Sequence, residues 1–255
     1  MEERKSAEVE SPFLAYLYRL RHIERWSLMR NTTRENVAEH SFHVALLAHL
    51  LCEIGNRVFG RRLNADRAAA MALFHDATEV FTGDIPTPVK HHNPRMLDSF
   101  REIEALAAKR LAGMVPEPLK EAYAPLLAGK TWQRIDAGEY ASAADNDKSG
   151  AGQDDRRELR NADHGAGESR NHGLRADDGA GGSDAELRKY LKAADLLDAY
   201  LKCTVELASG NREFAVAQRQ IKASLDKLKL PEAEWFLEHF APSFSKTLDE
   251  LSGDA

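Results

Sequence analysis

The stretch Met71-Ala72-Leu73-Phe74-His75-Asp76-Ala77-Thr78-Glu79-Val80 places a histidine, an aspartate and a glutamate within an apolar segment of helical character. Burying imidazole and carboxylate groups without polar partners would cost several kcal/mol, so the segment needs a chemical explanation. On a helix, Glu79 lies four residues after His75 and three after Asp76, so all three side chains can approach one face. The stretch alone leaves two interpretations open: a His–Asp hydrogen bond at a helix surface, or a divalent metal site with an activated water.

Length, charge and cysteine content narrow the class of protein. The chain has 255 residues, enough for one large domain or two small ones. Its net charge of −6 provides no global basic field, so we expect no polymeric nucleic acid as a partner. We also expect no membrane partner, because no apolar run approaches the roughly 18–20 residues of a membrane span. Cys52 and Cys203 lie far apart and the first ten residues are too charged for a secretion signal, so we expect a cytoplasmic protein.

Apolar spacing and capping signals predict helices throughout the chain. Asn36, with Glu39 three residues later, predicts a capping box that opens a long helix. The core-facing stripe of that helix consists of His40, Val44, Leu47, Leu51 and Ile54. His40 therefore stands at the end of an apolar face. Since no β-alternating run of useful length occurs, we predict an all-α globular bundle of about eight or more helices.

The segment around the His75-Asp76 pair carries further signals. Asn64 or Asp66 can cap a helix that we expect to run through the pair and to end near Gly83-Asp84. Because Pro86 and Pro88 restrict the backbone, the following segment 85–88 is predicted to be extended. A stiff segment after a helix end could hold a loop over a site.

A change in composition predicts the domain organisation. Residues 141–184 contain eight of the sixteen glycines, and their only large aliphatic residues are Leu159 and Leu174. Such a segment cannot bury enough apolar surface to offset its ordering entropy. We therefore predict a disordered Gly/Asp/Arg-rich insertion at 141–184 within a single domain spanning 11–252. Residues 1–10 are predicted to form a flexible tail.

Polar residues on apolar helical faces suggest a metal site. His40, the His75-Asp76 pair and an aspartate on the helix that follows residue 184 come from three separate helices. Imidazole and carboxylate are common ligands of zinc-like, manganese or cobalt ions. For the third helix, helical phase favours Asp198 as the inward carboxylate and places Asp195 on the flank of the apolar face.

These residues are also arranged as in a known superfamily. A histidine on one helix, a His-Asp pair one helix later and a distant aspartate form the pattern of the HD-domain phosphohydrolases. The closer resemblance, over roughly residues 11–135 and 185–252, is to the bacterial 5′-deoxynucleotidases of the YfbR type. It is carried mainly by Arg25-Trp26-Ser27-Leu28-Met29-Arg30-Asn31, Glu35-Asn36-Val37-Ala38-Glu39-His40-Ser41, His75-Asp76-Ala77-Thr78-Glu79-Val80 and Thr82-Gly83-Asp84-Ile85-Pro86-Thr87-Pro88-Val89-Lys90.

The resemblance implies a fold, a reaction and a set of roles. It implies an HD-domain bundle that hydrolyses deoxyribonucleoside 5′-monophosphates to deoxyribonucleoside and phosphate, by attack of a metal-bound water. It also implies a divalent cation such as cobalt or manganese, and a homodimer. The implied metal ligands are His40, His75, Asp76 and Asp195. The implied substrate contacts are Arg25, Trp26, His40, Asp84 and Asp195, and the implied catalytic residue is Glu79.

Two alternatives accompany this interpretation. The resemblance selects Asp195 as the fourth ligand where helical phase selects Asp198; we follow the resemblance and regard Asp198 as a residue that could orient a ligand. The activity could instead be that of another HD phosphohydrolase, acting on ribonucleotides, cyclic nucleotides or (d)NTPs. A non-catalytic nucleotide-binding HD module is the third possibility, and a proton-transfer group such as Glu79 argues against it.

Overall fold

The fold is helical, as the sequence predicts. The computed structural model describes residues 10–90, 92–128 and 182–253. Within these ranges the β pairing is limited to an isolated antiparallel bridge between Glu24 and Asn36, which confirms the predicted all-α class. The predicted tail, apart from Glu10, and residues 141–181 of the predicted insertion lie outside the described residues. None of the helices described is both long enough and apolar enough to cross a membrane.

The helices are distributed over two parts of the chain. The first part contains α1 (Phe13–Leu17), α2 (Val37–Val58), α3 (Ala65–Leu73), α4 (Glu79–Thr82), α5 (Thr87–Lys90), α6 (Pro94–Met114) and α7 (Lys120–Leu127). The second contains α8 (Asp184–Ala208), α9 (Ala215–Leu228), α10 (Pro231–His239) and α11 (Leu248–Ser252). Short 3₁₀ segments are formed by Tyr18–His22, Glu117–Leu119, Arg212–Phe214 and Ala241–Ser245.

Helix α2 begins with the predicted capping box. The Asn36 Oδ1 atom accepts hydrogen bonds from the backbone N–H groups of Ala38 and Glu39, both at 3.0 Å. The Glu39 carboxylate accepts one in return from the Asn36 N–H at 3.4 Å. The predicted stripe from His40 to Ile54 is buried throughout. The cap therefore fixes where α2 starts, and His40 enters the interior one turn later.

Two hydrophobic clusters support the fold. The larger one joins α2, α3, α8, α9 and α10, with Leu51, Leu197 and Phe236 among its most buried side chains. The smaller one is formed by Phe13, Ala77, Leu111, Val115 and Leu127. The chain passes from the larger to the smaller cluster between Ala72 and Ala77. The His75-Asp76 pair lies at this junction.

The prediction that one helix runs through His75-Asp76 is wrong. Helix α3 ends at Leu73, residues 74–78 form turns, and α4 begins at Glu79. The backbone N–H groups of Phe74, His75 and Ala77 bond to carbonyls three residues earlier, at 3.1–3.4 Å. These 3₁₀-type turns change the direction of the chain. As a result, Ala77 packs on the smaller cluster while α3 packs on the larger one. The predicted end near Gly83 is confirmed, since Gly83 follows α4 with a φ of 72°.

One prediction that depends on proline also needs correction. The segment predicted to be extended contains α5, in which the N–H of Val89 bonds to the Pro86 carbonyl at 2.8 Å. A proline in the first turn of a helix is tolerated because the N–H it lacks has no intrahelical partner there. Near the end of the chain, α10 ends at His239 and is followed by a 3₁₀ segment that contains Pro242.

The larger cluster should dominate the stability of the chain. Leu51 on α2 is fully buried, whereas Leu46 on the same helix is 56% exposed. We expect Leu51→Ala to lower the free energy of unfolding by about 2–5 kcal/mol, because it removes buried methyl groups and leaves a cavity. Leu46→Ala is the matched control and should change it by less than about 1 kcal/mol. Urea unfolding followed by circular dichroism measures both; equal effects would contradict the assignment of the core face.

Candidate metal centre

Two buried histidine rings face each other at the junction of the clusters. His40 projects from the first turn of α2 and His75 from the turn after α3, with ring centroids 5.1 Å apart. The His75 Nδ1 atom lies 2.7 Å from the Ala72 carbonyl oxygen, which can only accept, so Nδ1 carries the hydrogen. The His40 Nδ1 atom lies 2.6 Å from Asp198 Oδ2. In the neutral form of both rings, the Nε2 atom therefore keeps its lone pair.

Carboxylates meet these Nε2 atoms. Asp76 Oδ2 lies 3.0 Å from His75 Nε2 and 3.4 Å from His40 Nε2. Asp195 Oδ1 on α8 lies 3.5 Å from His40 Nε2. Neither buried Nε2 atom has a hydrogen-bond partner among the residues that the structure describes. Two buried imidazole nitrogens converging with carboxylate oxygens match the donor set of a transition-metal site.

The ionisation of His40 reflects this cluster of negative charge. Burial and the positive charge of Arg25 lower the pKa of His40, but close contacts with Asp195, Asp198 and Asp76 outweigh them. The pKa of His40 is consequently raised well above its usual value. A divalent cation bound by this cluster would therefore compete with a proton for His40.

Asp195 and Asp198 lie on opposite sides of the His40 ring. Asp198 contacts the Nδ1 side and Asp195 the Nε2 side, where His75 and Asp76 also lie. Burial alone would raise the pKa of Asp198, but hydrogen bonds from His40 and His43 and the charge of Arg25 lower it to about 2. The arrangement resembles a carboxylate that orients a metal-binding histidine through its other nitrogen. His43 is exposed at the surface and reaches Asp198 with Nδ1 at 3.5 Å from Oδ1.

Arg25 reaches the cluster from the loop between the first 3₁₀ segment and α2, and Trp26 follows it in that loop. The loop is closed by the Glu24–Asn36 bridge, in which the Arg25 N–H bonds to the Glu35 carbonyl at 2.9 Å. Arg25 Nη1 lies 2.5 Å from Glu35 Oε1 and 3.5 Å from Asp198 Oδ2. The spacing of Glu35, His40 and Asp198 could also suit a cation, but the guanidinium already supplies positive charge there.

Buried donors in this loop lack partners. Arg25 Nε and Trp26 Nε1 are buried and have no hydrogen-bond acceptor within the described part of the chain. Trp26 adopts a left-handed backbone conformation, with φ at 56°, and its ring packs 5.5 Å from that of Phe214. A bulky residue at positive φ is strained and persists only where its surroundings hold it. Such features are typical of a binding site.

Glu79 and Asp84 lie on the side of the site formed by α4 and the segment after it. Glu79 opens α4 and is buried, and its Oε1 atom lies 3.9 Å from Lys90 Nζ. Lys90 also donates a hydrogen bond to Glu104 Oε1 at 3.3 Å. Asp84 follows Gly83, is partly buried, and lies near enough to Arg25 to raise the pKa of that residue.

Sequence reasoning assigned no role to Glu35 or Lys90. Both stand within the runs that carried the family resemblance, and this was the available signal. Burial is the largest influence on the pKa of Glu35 and raises it, while Arg25 opposes that effect. Neither the contact between Glu35 and Arg25 nor that between Lys90 and Glu79 could be inferred from spacing.

Comparison with known proteins identifies the family to which the sequence is similar. The family profile described as 5′-deoxynucleotidase YfbR-like matches residues 12–148 and 179–244. The 5′-deoxynucleotidases YfbR of Escherichia coli strain K12/DH10B and Shigella boydii serotype 18 are each 39% identical to this chain over 246 residues. Each alignment covers 96% of this chain and 98% of the relative.

Solved structures show the same fold at lower sequence identity. An HD-domain phosphohydrolase from Listeria innocua superposes with a TM-score of 0.62 at 19% identity, covering 95% of each chain. The HD phosphohydrolase DatZ of cyanophage S-2L, solved with dA and one catalytic Zn²⁺ ion, gives a TM-score of 0.50 at 19% identity. That match covers 90% of this chain and 96% of DatZ.

The geometry predicts different metal losses at the two α8 aspartates. We expect His75→Ala, Asp76→Ala and Asp195→Ala to abolish or severely weaken binding of Co²⁺ or Mn²⁺. Asp198→Ala should weaken it by about 10–100-fold, because the carboxylate acts through His40. Metal per chain is measured by inductively coupled plasma mass spectrometry after equilibrium dialysis.

The matched control is His43→Ala. Its side chain is 51% exposed, and its ring nitrogen lies 3.5 Å from Asp198 rather than among the Nε2 atoms. We expect near-normal metal content in this variant. Complete loss in Asp198→Ala together with retention in Asp195→Ala would show that the fourth ligand is assigned to the wrong aspartate.

Proposed function

This chain belongs to the YfbR-like family of 5′-deoxynucleotidases, and from that membership we propose that it is a metal-dependent hydrolase of deoxyribonucleoside 5′-monophosphates. The products are a deoxyribonucleoside and inorganic phosphate. The observation that carries the proposal is the pair of buried Nε2 atoms of His40 and His75, which lie beside carboxylates and have no hydrogen-bond partner among the described residues. Arg25 reaches the same cluster through Asp198, and the buried Arg25 Nε and Trp26 Nε1 atoms likewise have no acceptor in the described part of the chain.

His40, His75, Asp76 and Asp195 are the residues that would hold the metal. A divalent ion bound by them supplies a Lewis acid that neutralises phosphate charge and lowers the pKa of water. Asp198 and the Ala72 carbonyl hold the two imidazole rings in the required tautomer through Nδ1. The chain thus orients its ligands before substrate arrives.

Arg25 is proposed to bind the phosphate of the substrate. Its Nη1 atom is engaged by Glu35, whereas its buried Nε has no acceptor in the described part of the chain. An unpaired buried donor on a charged group costs free energy, which a phosphate oxygen would recover. The Glu35 contact keeps the guanidinium fixed while the substrate enters.

Trp26 and Asp84 are proposed to contact the nucleoside. The indole ring of Trp26 can pack on sugar or base without reading the base edge, which suits broad base tolerance. Asp84 can accept a hydrogen bond from the 3′-hydroxyl. We propose that the wall of the site beside Asp84 leaves no room for a 2′-hydroxyl, which would favour deoxyribose.

Glu79 is proposed to move the proton. It is buried near the metal ligands, and its N–H bonds to the Asp76 carbonyl at 3.0 Å. From this position its carboxylate can take the proton from water or deliver one to the leaving oxygen. Lys90, 3.9 Å from Oε1, places positive charge beside the carboxylate. We propose direct attack by water, without a covalent enzyme intermediate, because neither a serine nor a cysteine is among the residues assigned to the site.

The ion, the assembly and the compartment are also proposals. A site of two histidines and two aspartates suits cobalt, manganese or zinc better than calcium. We further propose a homodimer, as in the resemblance, and a cytoplasmic location. The free, buried thiols of Cys52 and Cys203 support a reducing compartment.

Phosphate release from a panel of nucleotides tests the proposed function. With Co²⁺ or Mn²⁺ we expect release from dAMP and other deoxyribonucleoside monophosphates, slower release from AMP, and none from dATP or a bis-ester. A chelator should abolish the activity, and the added metal should restore it. No release from any deoxyribonucleotide with any metal would refute the function, and equal rates on AMP and dAMP would refute the role of Asp84.

Replacing Glu79 tests the proton-transfer role. We expect Glu79→Gln to lower kcat about 10²–10⁴-fold and to keep the metal, because the amide cannot exchange a proton. Glu104→Gln is the matched control, since Glu104 shares Lys90 but lies outside the proposed machinery. It should retain most of the activity. A Glu79→Gln enzyme with normal kcat would show that another group moves the proton.

A further inference from the structure

A second buried carboxylate lies at the far end of α8, away from the metal ligands. Glu206 is fully buried and accepts hydrogen bonds from four residues. The backbone N–H and hydroxyl of Thr32 donate at 2.9 and 2.6 Å, and the N–H of Thr33 donates at 3.1 Å. Lys202 Nζ donates at 2.6 Å and Asn211 Nδ2 at 2.8 Å.

This network keeps a charge inside the protein. Burial would raise the pKa of Glu206, but the hydrogen bonds from Lys202, Thr32 and Asn211 lower it far below its usual value. Lys202 also donates to the Thr33 carbonyl. A buried ion pair that satisfies this many donors fixes geometry more than it adds stability.

The donors belong to the loop that carries Arg25 and Trp26. Asn31, the residue before Thr32, donates from Nδ2 to the Trp26 carbonyl at 3.1 Å. Trp26 is the strained residue of the loop, and its ring packs on Phe214, just beyond Asn211. Glu206 therefore fixes Thr32, and Asn31 next to it holds the backbone of Trp26.

Helix α8 carries both the aspartates near His40 and the glutamate that binds the loop. Asp195 and Asp198 lie eleven and eight residues before Glu206 on α8, which corresponds to roughly 16 and 12 Å of helix rise. We propose that Glu206 is a positioning residue that sets the Arg25–Trp26 loop at a fixed distance from the metal ligands. The inference rests on the proposed function, because it assigns this loop to phosphate and nucleoside binding.

The test compares Glu206→Gln with Glu213→Gln. A glutamine side chain has one acceptor oxygen where glutamate has two. In Glu206→Gln an NH₂ group therefore faces some of the donors that bind Glu206, and we expect the Arg25–Trp26 loop to become more mobile. We expect KM for dAMP to rise about tenfold, the size of one charge-assisted hydrogen bond, with a smaller change in kcat. Preference for dAMP over AMP should fall, amide exchange at Thr32 and Thr33 should accelerate, and metal per chain should stay normal.

Glu213→Gln is the matched control because it acts on the same loop from the solvent side. Glu213 Oε2 accepts from Arg30 Nε at 2.7 Å, but the Arg30 side chain is 93% exposed. Exposed pairs contribute little, so KM, selectivity and exchange at Thr32 should match the wild type. Glu206→Asp keeps the charge and should recover part of the lost affinity.

The outcomes separate the two proposals. If wild type hydrolyses dAMP while Glu206→Gln has unchanged KM and selectivity, the positioning role is overturned and the proposed function stands. If wild type releases no phosphate, the proposed function is overturned and the positioning role falls with it. Should Glu206→Gln not fold, Thr32→Val removes one donor and preserves every charge, and we expect KM to rise two- to fivefold; an unchanged KM there would overturn the inference.

Discussion

The hydrogen bond between His40 Nδ1 and Asp198 Oδ2 joins helices α2 and α8 at the site. It is buried and 2.6 Å long, and it connects residues 158 positions apart in the chain. Because Asp198 takes the Nδ1 side of the ring, the Nε2 side is directed at His75, Asp76 and Asp195. The packing of α2 on α8 thus decides which ring nitrogen is offered to a ligand. A small rotation of either helix would alter both the core and the donor set.

The His75-Asp76 pair owes its position to a break in the helix. If α3 continued through this segment, Phe74 and Ala77 would remain part of a helix that packs on the larger cluster. The turn instead lets α3 pack on the larger cluster and Ala77 on the smaller one, with His75 and Asp76 between them. The site therefore lies where two hydrophobic units meet, a common place for ligand sites.

The sequence predicted those features whose signals are local. The three-residue spacing of Asn36 and Glu39 predicted the start of α2, and the apolar stripe from His40 to Ile54 predicted its buried face. Helical phase also identified Asp198 as the more inward carboxylate, and the structure places it on the Nδ1 side of His40. The turn at 74–78 was not predicted, because its residues are compatible with a helix. The helix breaks there only because the residues on either side pack against two different hydrophobic clusters. The burial of Glu206 was not predicted for a different reason. With Lys202 one turn before it, Glu206 has the sequence pattern of a solvated helix face. The loop residues that donate hydrogen bonds to it lie 173–174 positions away in the chain.

Helix α8 fixes the spacing between the residues it carries, and its N-terminal cap fixes where that spacing begins. Its first turn is fixed by the Ser183 hydroxyl, which accepts from the Glu186 N–H at 3.3 Å, and every contact with the metal ligands and the loop comes after that cap. The family profile leaves residues 149–178 unmatched, upstream of the cap. Chain length can vary there without changing the number of residues between Asp195 and Glu206. The connection before α8 can therefore change in length without altering the spacing of Asp195 and Glu206, whereas one residue inserted between them would rotate one end of α8 by about 100° against the other and shift Thr32 relative to Asp195.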